Sequence, residues 1–469
     1  GYFCAIMQAN TIQGEFCMQK HLNFNYDYSR CMVMKLGMAY PEKNTPGVSH
    51  VLMTFEEALP YIRKIDSMTP EITKIYYLVG WQYLGHDDKY PDFFEVNEAL
   101  KRPQDNTAWD SFKWLSDEAK KYNSVISVHI NFNDAYDNAP SYDDFAKAGA
   151  LIRKRNGKPR AIERYNGRKC YKTCHKGYWE SGLFKRQFDR FVETFPFIAE
   201  SGTIHVDNFQ CYKNYAPFVS IKEMQDARRK MIEYVKSKGI DITSEFTYKE
   251  SRTLPNKPIF GLPRDHFKRY PMDTLGLIPF SWWCYRMTNK ELIETPPQLY
   301  CGGVFREKRL NALFYGNMHG EDIISKSNAD WTEDFIREFA AYQVPFHFLC
   351  THKRLAIKGH FQNERCEFAD GITTFRRHRR ITQNGETVKL KNEVFLPYIH
   401  EKDCYIAYSE NGFAGFRKVS AKSGTATVFE ITPDGLKEIG TMEITNSAIH
   451  IKVKAKQALV VRVNAVNDK

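Results

Sequence analysis

Short apolar, β-branched runs alternate with amphipathic segments from about residue 31 to residue 352 of this chain. Apolar runs bounded by turn residues are typical of buried strands, and apolar positions that recur every three or four residues are typical of helices. Strands that alternate with helices form parallel sheets covered by those helices. The pattern therefore predicts an α/β fold for this region.

The expected strands of the α/β region are residues 32–39, 74–79, 124–130, 203–206, 240–243, 275–282, 312–315 and 345–349. The expected helices are residues 54–67, 109–122, 182–199, 220–238 and 332–342. About eight such alternating units favour a (β/α)8 TIM-type barrel over an open sheet. We assign this barrel to residues 31–352, whereas residues 1–30 show no clear period and stay an unassigned N-terminal segment.

The pattern changes after residue 352, where short strands follow one another without helices. The expected strands are residues 373–377, 387–390, 404–408, 425–431, 437–444, 448–453 and 458–463. Turn pairs such as Asn384-Gly385 and Asp434-Gly435 separate them. We therefore predict a C-terminal all-β sandwich over residues 353–469.

Residues 202–249 contain the clearest β-α-β unit of the chain. Ser220 followed by Glu223 is typical of a capping box at the start of a helix, and Gly239 is typical of a helix end. Each flanking strand is followed by a carboxylate, Asp207 after the first and Glu245 after the second. Carboxylates at the ends of adjacent parallel strands can lie about 5 Å apart, the separation that a retaining glycosidase requires. A single acidic residue in this position is more often a helix cap or half of a salt bridge, so the pair alone does not identify an enzyme.

Composition narrows the range of partners. The 67 basic and 56 acidic residues leave a net charge of +11, which is modest for 469 residues and does not by itself indicate nucleic acid. The basic run at residues 376–380 is more typical of a solvated face or edge than of a phosphate-binding patch. Aromatic residues make up 14% of the chain, which suits stacking on sugar rings as well as a large core.

Several common sites have no signature in the sequence. The 11 cysteines form no C-x-x-C pairs, so a zinc site is not expected, although Cys170 and Cys174 are close enough in sequence to bridge. Dinucleotide and phosphate-loop fingerprints do not accompany the strands. We therefore expect neither a cofactor nor a metal. No apolar segment is long enough to span a membrane, and no signal peptide is recognisable at the first residues.

The loop after the expected strand 74–79 gathers further candidate chemistry. It reads Gly80-Trp81-Gln82-Tyr83-Leu84-Gly85-His86-Asp87-Asp88-Lys89-Tyr90-Pro91-Asp92. A tryptophan can stack on a pyranose ring, and histidine and aspartate can bond to vicinal hydroxyl groups. The alternative is a tight loop with solvated acids, and the D-x-D-x-D-G calcium pattern is absent from it.

Gly85-His86-Asp87 followed by Tyr90-Pro91-Asp92 resembles the G-H-D-S-x-H-P-D signature of glycoside hydrolase family 101, the endo-α-N-acetylgalactosaminidases. The segment His129-Ile130-Asn131 resembles the next sugar-contacting segment of that family. The S-x-H of the signature is Asp88-Lys89-Tyr90 in this chain. The resemblance implies a (β/α)8 catalytic barrel that cleaves α-linked GalNAc glycans from serine or threonine with retention.

The same resemblance implies a role for individual residues. Asp207 lies where the family has its nucleophile, and Glu245 lies where it has its acid/base. The candidates for binding sugar hydroxyl groups are His86, Asp87, His129 and Asn131. The tryptophans that could stack on a sugar or form a lid are Trp81, Trp282 and Trp283. A core position is equally expected for a tryptophan at a strand end.

The expected activity is therefore double displacement at α-linked N-acetylgalactosamine of mucin-type O-glycans. The expected partner is a carbohydrate, and such a substrate implies a secreted, periplasmic or cell-surface enzyme. The alternatives are an inert carbohydrate-binding barrel, a retaining exo-α-glycosidase for another sugar, and a metal-dependent hydrolase. The last is least favoured because no His-x-His pair marks the strand ends. His205 is expected to face the barrel packing.

Overall fold

The computed structural model describes residues 24–165, 168–207, 209–244, 277–279, 289–294, 296–297, 312–318, 320–321 and 323–465. The strands before residue 300 are β1 (Met32–Gly37), β2 (Ala39–Pro41), β3 (Ser49–Val51), β4 (Lys74–Val79), β5 (Ser124–Ile130), β6 (Asp134–Tyr136), β7 (Ala161–Tyr165), β8 (Arg168–Lys172), β9 (Thr203–Val206), β10 (Asn214–Tyr215), β11 (Phe218–Val219), β12 (Asp241–Ser244) and β13 (Leu277–Pro279). The helices are α1 (Phe55–Met68), α2 (Ala108–Lys120), α3 (Tyr142–Lys147), α4 (His175–Glu180), α5 (Leu183–Thr194), α6 (Pro196–Ser201), α7 (Ile221–Ser237), α8 (Asn289–Glu294), α9 (Trp331–Glu338) and α10 (Val344–Cys350). A π-helical turn, Phe339–Gln343, joins α9 to α10.

Six strands form a parallel sheet in the order β1-β4-β5-β9-β12-β13. The register places His129 opposite His205 and Val206 opposite Ser244. Strand β4 is buried along its whole length, as expected for a strand covered on both faces. The predicted α/β fold with a parallel sheet is thus confirmed. Over the described residues, however, the sheet is open and does not close into an eight-stranded barrel.

Two of the predicted strands are wrong. Residues 345–349 lie in helix α10. Pro345 lies in its first turn, where the N–H that proline lacks is not needed for a hydrogen bond within the helix. Ala312 and Leu313 are also helical. Both runs are short and continuously apolar, and hydrophobic periodicity cannot separate a buried strand from a buried helix in such a run.

The central β-α-β unit forms as predicted. Helix α7 begins at a capping box in which Ser220 Oγ accepts the Glu223 N–H at 3.2 Å and the Glu223 carboxylate accepts the Ser220 N–H at 2.9 Å. Its apolar face is buried against the sheet, and Gly239 follows the helix with a φ of +78°. This conformation favours glycine because it has no Cβ. The unit therefore sets Asp207, the residue after β9, at the carboxyl end of the sheet.

The segment between β5 and α5 forms a small antiparallel sheet in the order β6-β8-β7. Strand β6 follows directly after the carboxyl end of β5, and Thr173 Oγ1 donates to the Phe132 carbonyl at 2.7 Å. Strands β7 and β8 of this small sheet form a hairpin. Its attachment beside the end of β5 makes it a wall next to the carboxyl edge of the parallel sheet.

The C-terminal region is all-β, as predicted. Its strands are β14 (Arg354–Lys358), β15 (Arg365–Phe368), β16 (Ile372–Phe375), β17 (Arg380–Gln383), β18 (Glu386–Leu390), β19 (Glu393–Pro397), β20 (Cys404–Ser409), β21 (Phe413–Lys418), β22 (Gly424–Thr432), β23 (Gly435–Ile444), β24 (Ala448–Val453) and β25 (Gln457–Ala465). Ten of them form one sheet in the order β14-β15-β16-β17-β18-β19-β20-β25-β22-β23, and β21 pairs with β24. The predicted sandwich is therefore unequal, one large sheet with a two-stranded ribbon packed over part of it.

One hydrophobic core runs through both regions. It contains Phe55 and Phe112 from the helices on the parallel sheet, and also Ile381, Leu396 and Ile406 from the ten-stranded sheet. A smaller core lies between the large sheet and the β21–β24 ribbon. Among the described residues, no helix has both the length and the apolar character needed to cross a bilayer.

Candidate active site

Polar side chains from three neighbouring strands of the parallel sheet meet at its carboxyl edge. Asp87 comes from the loop after β4, His129 and Asn131 come from the end of β5, and Asp207 follows β9. The Asn131 amide nitrogen lies 3.4 Å from Asp207 Oδ2, and His129 Nε2 lies 3.9 Å from the same oxygen. The sequence placed these residues in separate segments, and the fold brings them together at the edge where α/β enzymes place their catalytic groups.

The orientation of the Asn131 amide is set by the backbone that follows it. Its Oδ1 accepts the N–H of Asn133 at 2.7 Å and the N–H of Asp134 at 3.0 Å. The amide nitrogen must therefore point the other way, where it donates to Asp134 Oδ2 at 2.9 Å as well as to Asp207. Asn131 thus presents N–H donors to the Asp207 carboxylate without needing to reorganise.

Asp134 and Lys172 form a buried ion pair beside this amide. The pair joins β6 to β8, and both side chains are less than a tenth exposed. Burial disfavours the Lys172 ammonium, but Asp134, Cys170 and Tyr212 together outweigh burial and raise the lysine pKa. Sequence reasoning missed both residues. The run Asn131-Phe132-Asn133-Asp134 carries a turn signal for the aspartate, but nothing in the sequence points to Lys172, 38 positions further on.

The Gly80–Asp92 loop carries His86 and Asp87 on a tightly packed backbone. A Cβ at Gly80 would lie 1.8 Å from the Ala39 carbonyl oxygen, so only glycine fits there. The His86 N–H donates to that same carbonyl at 2.9 Å. Asp87 has a φ of +59°, and His86 Nε2 lies 3.4 Å from its Oδ2. The loop therefore holds both predicted sugar-binding side chains against the edge of β2.

The part of the loop that departs from the family signature has structural roles. Asp88 accepts the Leu84 N–H at 3.2 Å and the Asn138 amide at 3.0 Å. Tyr90 is fully buried, and its hydroxyl donates to the His129 carbonyl at 3.4 Å. Burial and the neighbouring carboxylates of Asp87 and Asp207 raise the pKa of Tyr90 well above its usual value. Tyr90 therefore stays a neutral phenol next to the carboxylates of Asp87 and Asp207.

Trp81 is placed in the core and has no sugar-facing surface. Its side chain is fully buried against Phe112 and Phe195, with ring centroids 5.4 and 5.2 Å away. The indole N–H donates to the His129 carbonyl at 3.2 Å. The predicted stacking role is therefore corrected. The Trp81 ring packs in the core, and its N–H positions the backbone of His129, a candidate substrate-binding residue.

A ladder of rings crosses the sheet beneath the site. The His129 ring lies 5.1 Å from that of His86 and 5.1 Å from that of His205, and His205 lies 5.3 Å from Tyr77. His205 is fully buried, as expected from the sequence, and Nδ1 lies 2.8 Å from the hydroxyl of Thr243. The ladder fixes the rotamer of His129, whose Nε2 faces Asp207.

The second predicted carboxylate, Glu245, lies outside the described residues, as do Trp282 and Trp283. The strand that leads to Glu245 is described. Ser244, its last residue, pairs in parallel with Val206, the residue before Asp207. Ser244 Oγ also donates to the Asp207 carbonyl at 3.4 Å.

Three carboxylates share the site. Asp87, Asp134 and Asp207 each place one oxygen within 4.8 Å of the other two. Such oxygens are the donors that hard cations prefer. One of the three, Asp134, is already paired with the ammonium of Lys172, so the protein itself supplies part of the countercharge.

Residues 47–255 match the model of a glycosidase family described as endo-alpha-N-acetylgalactosaminidase. This segment is therefore similar to glycoside hydrolase family 101. The resemblance read from the sequence is thereby confirmed. All residues described above between Asp87 and Asp207 fall inside the matched segment. No curated protein matches the chain.

Two solved structures are similar to this chain. One is the alpha-N-acetylgalactosaminidase NagBb from Bifidobacterium bifidum in a GalNAc complex, with 16% identity, a TM-score of 0.50, and coverage of 78% of this chain and 58% of that one. Another is an alpha-amylase from Geobacillus thermoleovorans complexed with acarbose, with 10% identity, a TM-score of 0.46, and coverage of 93% and 99%. The chain thus spans little more than half the length of the NagBb structure.

Proposed function

We propose that the protein is a retaining α-glycoside hydrolase acting on α-linked N-acetylgalactosamine of mucin-type O-glycans. The observation that carries the proposal is the position of Asp207. Its carboxylate lies at the carboxyl edge of the parallel sheet, faced by the amide of Asn131 at 3.4 Å and by His129 Nε2 at 3.9 Å. A carboxylate held by fixed donors is suited to act as an ionised nucleophile.

The first step of the proposed mechanism forms a covalent ester. An Asp207 oxygen attacks the anomeric carbon, and the bond between that carbon and the leaving serine or threonine oxygen breaks. Glu245 donates its proton to the departing oxygen. In the second step Glu245 takes a proton from water, whose oxygen attacks the anomeric carbon and releases Asp207. Two inversions give net retention. The role of Glu245 rests on its place after β12 in the sequence and on the family 101 match.

Contacts to the sugar come from the groups around Asp207. His86 and Asp87 stand on a loop that is packed against β2, and His129 is held by its ring neighbours. Such side chains accelerate the reaction when their bonds to ring hydroxyls tighten in the oxocarbenium-like transition state. A prepositioned set avoids the entropy cost of ordering during the reaction. We assign them to substrate binding on that basis.

The substrate class is supported by the family 101 match and by the GalNAc complex of a structural neighbour. Mucin-type glycans are attached to proteins outside the cell, so a secreted or cell-surface enzyme is part of the proposal. The hairpin wall that contains β7 and β8 stands next to the site. We infer that this wall decides whether the sugar beyond the cleaved residue fits, and hence endo or exo action.

Two variants test the catalytic pair. We expect Asp207→Ala and Glu245→Gln each to lower kcat by about 10³-fold or more, with little change in Tm, because each removes a group that acts on the reacting atoms. The exposed Asp226 on helix α7 provides a matched control, and Asp226→Ala should keep normal turnover. Azide should restore activity to Asp207→Ala with inverted product. Near-normal turnover in either catalytic variant would refute the assignment.

Two synthetic substrates test the specificity, namely p-nitrophenyl α-GalNAc and p-nitrophenyl Galβ1-3GalNAc-α. Proton NMR of the first product formed should show the α-anomer. Release of the disaccharide indicates endo action, and release of GalNAc alone indicates exo action. Hydrolysis of neither, alongside hydrolysis of another α-glycoside, would reject the proposed sugar. Inactivity on every α-glycoside tested would favour an inert carbohydrate-binding barrel.

A further inference from the structure

Four turns converge at one edge of the C-terminal ten-stranded sheet. Strands β14 to β20 follow one another as an antiparallel meander, so every second turn lies at the same edge. These turns are residues 359–364, 376–379, 391–392 and 410–412. Together they border a cavity of about 640 Å³, within the range of ligand pockets. Side chains that border it include Gln362, Arg376, His378, Arg379, Lys391 and Asn411.

The basic side chains of this cavity carry charge that the protein neutralises only in part, through Glu364 beside Arg376 and Glu338 near Arg379. Arg376 has one long ion pair, 3.6 Å to Glu364. Within the residues that the structure describes, neither Arg379 nor Lys391 has a carboxylate within ion-pair distance. The Lys391 side chain is exposed, and the Arg379 side chain is half-buried. A cavity with such cations attracts anionic ligands.

The acidic side chains at the same cavity are already engaged. Glu393 accepts a hydrogen bond from Arg417 at 2.7 Å, and Glu410 accepts one from the hydroxyl of Tyr408 at 2.9 Å. Their oxygens are therefore partly occupied by neighbouring donors. The donors that remain available to a ligand are mainly those of Arg376, Arg379 and Lys391.

The backbone that presents these cations adopts a conformation that side chains disfavour. His378, Arg379 and Lys391 have φ values of +63°, +46° and +54°. A left-handed residue with a side chain costs about 1 kcal/mol or more, and such residues cluster at functional sites. Their conformation is fixed by the rest of the fold, because the buried Lys389 ammonium donates to the Lys391 carbonyl and Tyr315 donates to the Arg379 carbonyl at 2.9 Å.

An aromatic ring stands on the first of these turns, residues 359–364. Phe361 is 81% exposed and has a φ of +49°, and it precedes Gln362 on the same short 3-10 turn. A buried position would be the usual place for phenylalanine. An exposed ring beside amide groups is suited to stack on a sugar face while the amides bond to its hydroxyl groups.

We propose that this sheet edge is a second glycan-binding site, outside the catalytic cleft, for sugars that carry a sulfate ester or a carboxylate. Arg379 and Lys391 would bind the anionic group, and Phe361 with Gln362 would bind the sugar ring. Arginine suits either group because its planar fork matches both oxyanions. The choice of a glycan as ligand rests on the proposed function, whereas the anionic character rests on the cavity itself.

The test measures binding of three soluble sugars to the full chain by titration calorimetry. Lactose 3′-sulfate and 3′-sialyllactose are the acidic probes, and lactose is the neutral one. We expect at least one acidic probe to bind about tenfold or more tightly than lactose, with an affinity that falls as salt rises. The two acidic probes distinguish sulfate from carboxylate as the preferred group.

A pair of double variants locates the site. Arg379→Gln with Lys391→Gln should weaken binding of the acidic sugar by about tenfold or more, since two charge-assisted contacts are lost. Lys437→Gln with Lys452→Gln removes the same charge from exposed positions on other strands and should leave the affinity within about twofold. Equal losses in the two double variants would overturn the proposal, as would equal affinity for lactose and the acidic probes.

Two further arms keep this proposal separate from the catalytic one. Asp207→Ala should abolish hydrolysis of p-nitrophenyl α-GalNAc and keep the affinity for the acidic sugar. A wild-type protein that binds acidic sugars but hydrolyses no α-glycoside would refute only the proposed function. Inorganic sulfate that binds as tightly as the sulfated sugar would show a simple anion site and would overturn the glycan assignment.

Discussion

At the scale of single residues, the site depends on a charge balance that spans two chain segments. Asp134 accepts from the Asn131 amide at 2.9 Å and pairs with Lys172, so the same carboxylate orients a donor to Asp207 and anchors β8. Taking such ions out of water is costly, and the pair is tolerable because each charge has a partner. Removing one partner leaves the other charge buried alone.

We therefore predict that Lys172→Met lowers the free energy of unfolding by about 3–5 kcal/mol. The double variant Asp134→Asn with Lys172→Met should recover most of that loss, because no uncompensated charge remains. Urea unfolding followed by circular dichroism measures both. Lys113→Met is the control, since it breaks an exposed helical pair with Asp117 and should cost about 0.5 kcal/mol or less. A double variant as unstable as Lys172→Met would contradict the charge argument.

The candidate site could be predicted only as far as its residues follow strands. His129 lies near the end of an apolar run, and Asn131 and Asp207 come directly after such runs, so sequence reasoning finds them. Lys172 lies on a hairpin strand whose pairing with β6 joins residues 38 positions apart, and no local pattern encodes that contact. For Trp81 the position is predictable from the sequence but the role is not. A tryptophan after a strand suits core and surface equally, and only the positions of Phe112 and Phe195 decide between them.

At the scale of helices and strands, local signals predicted the elements that carry them. Helix α7 has a capping box at Ser220 and a terminal glycine at Gly239, and its bounds agree with the prediction to within one residue. Helix α10 has no such signal. Its seven residues are almost all buried, so the run lacks the polar face that would reveal a helical period. Among the described residues, this run is one of the two predicted barrel strands that are helical.

The buried His347 of helix α10 contacts the half-buried His400 of the C-terminal region. His347 Nδ1 lies 2.8 Å from His400 Nε2, so one proton is shared between two facing ring nitrogens. The side-chain nitrogen of Gln343, Nε2, lies 2.8 Å from His347 Nε2. The side-chain oxygen of Gln343, Oε1, accepts the Met318 N–H. Burial lowers the pKa of His347 to about 3 and that of His400 to about 2, and the nearby Arg30 adds to both effects. Both rings are therefore neutral in the folded protein.

This pair predicts a loss of stability in mild acid. Below about pH 6.5 the unfolded chain gains protons on both histidines and the folded protein does not. The free energy of unfolding should fall by up to about 1.4 kcal/mol per pH unit for each residue as the pH drops from 6.5. His400→Phe should reduce this slope between pH 6.5 and 4.5. His450→Gln, at an exposed position, should not change it, and identical slopes in the wild type and His400→Phe would refute the prediction.

At the scale of the whole molecule, the two predicted regions share one core. Phe339 and Phe346 from the helices pack in the same cluster as Leu396, Ile406 and Val460 from the ten-stranded sheet. Polar contacts cross the same boundary, since Tyr398 donates to the Pro70 carbonyl and Lys456 pairs with Glu333 at 2.5 Å. The sequence shows where the periodicity changes, but it does not show that the apolar faces on either side cover each other.

A shared core predicts that the chain unfolds as one unit. Fully burying a large apolar side chain contributes about 1.5–3 kcal/mol, so exposing five of them would cost about 10 kcal/mol, which is comparable to the total stability of a domain. Calorimetry should therefore show a single transition whose calorimetric and van't Hoff enthalpies agree. A chain ending at residue 352 should lack a cooperative transition, because its helices α9 and α10 would lose the sheet that covers them. Two separate transitions in the full chain, or a cooperatively folded fragment, would mean that each region completes its own core and that the interface contributes little to stability.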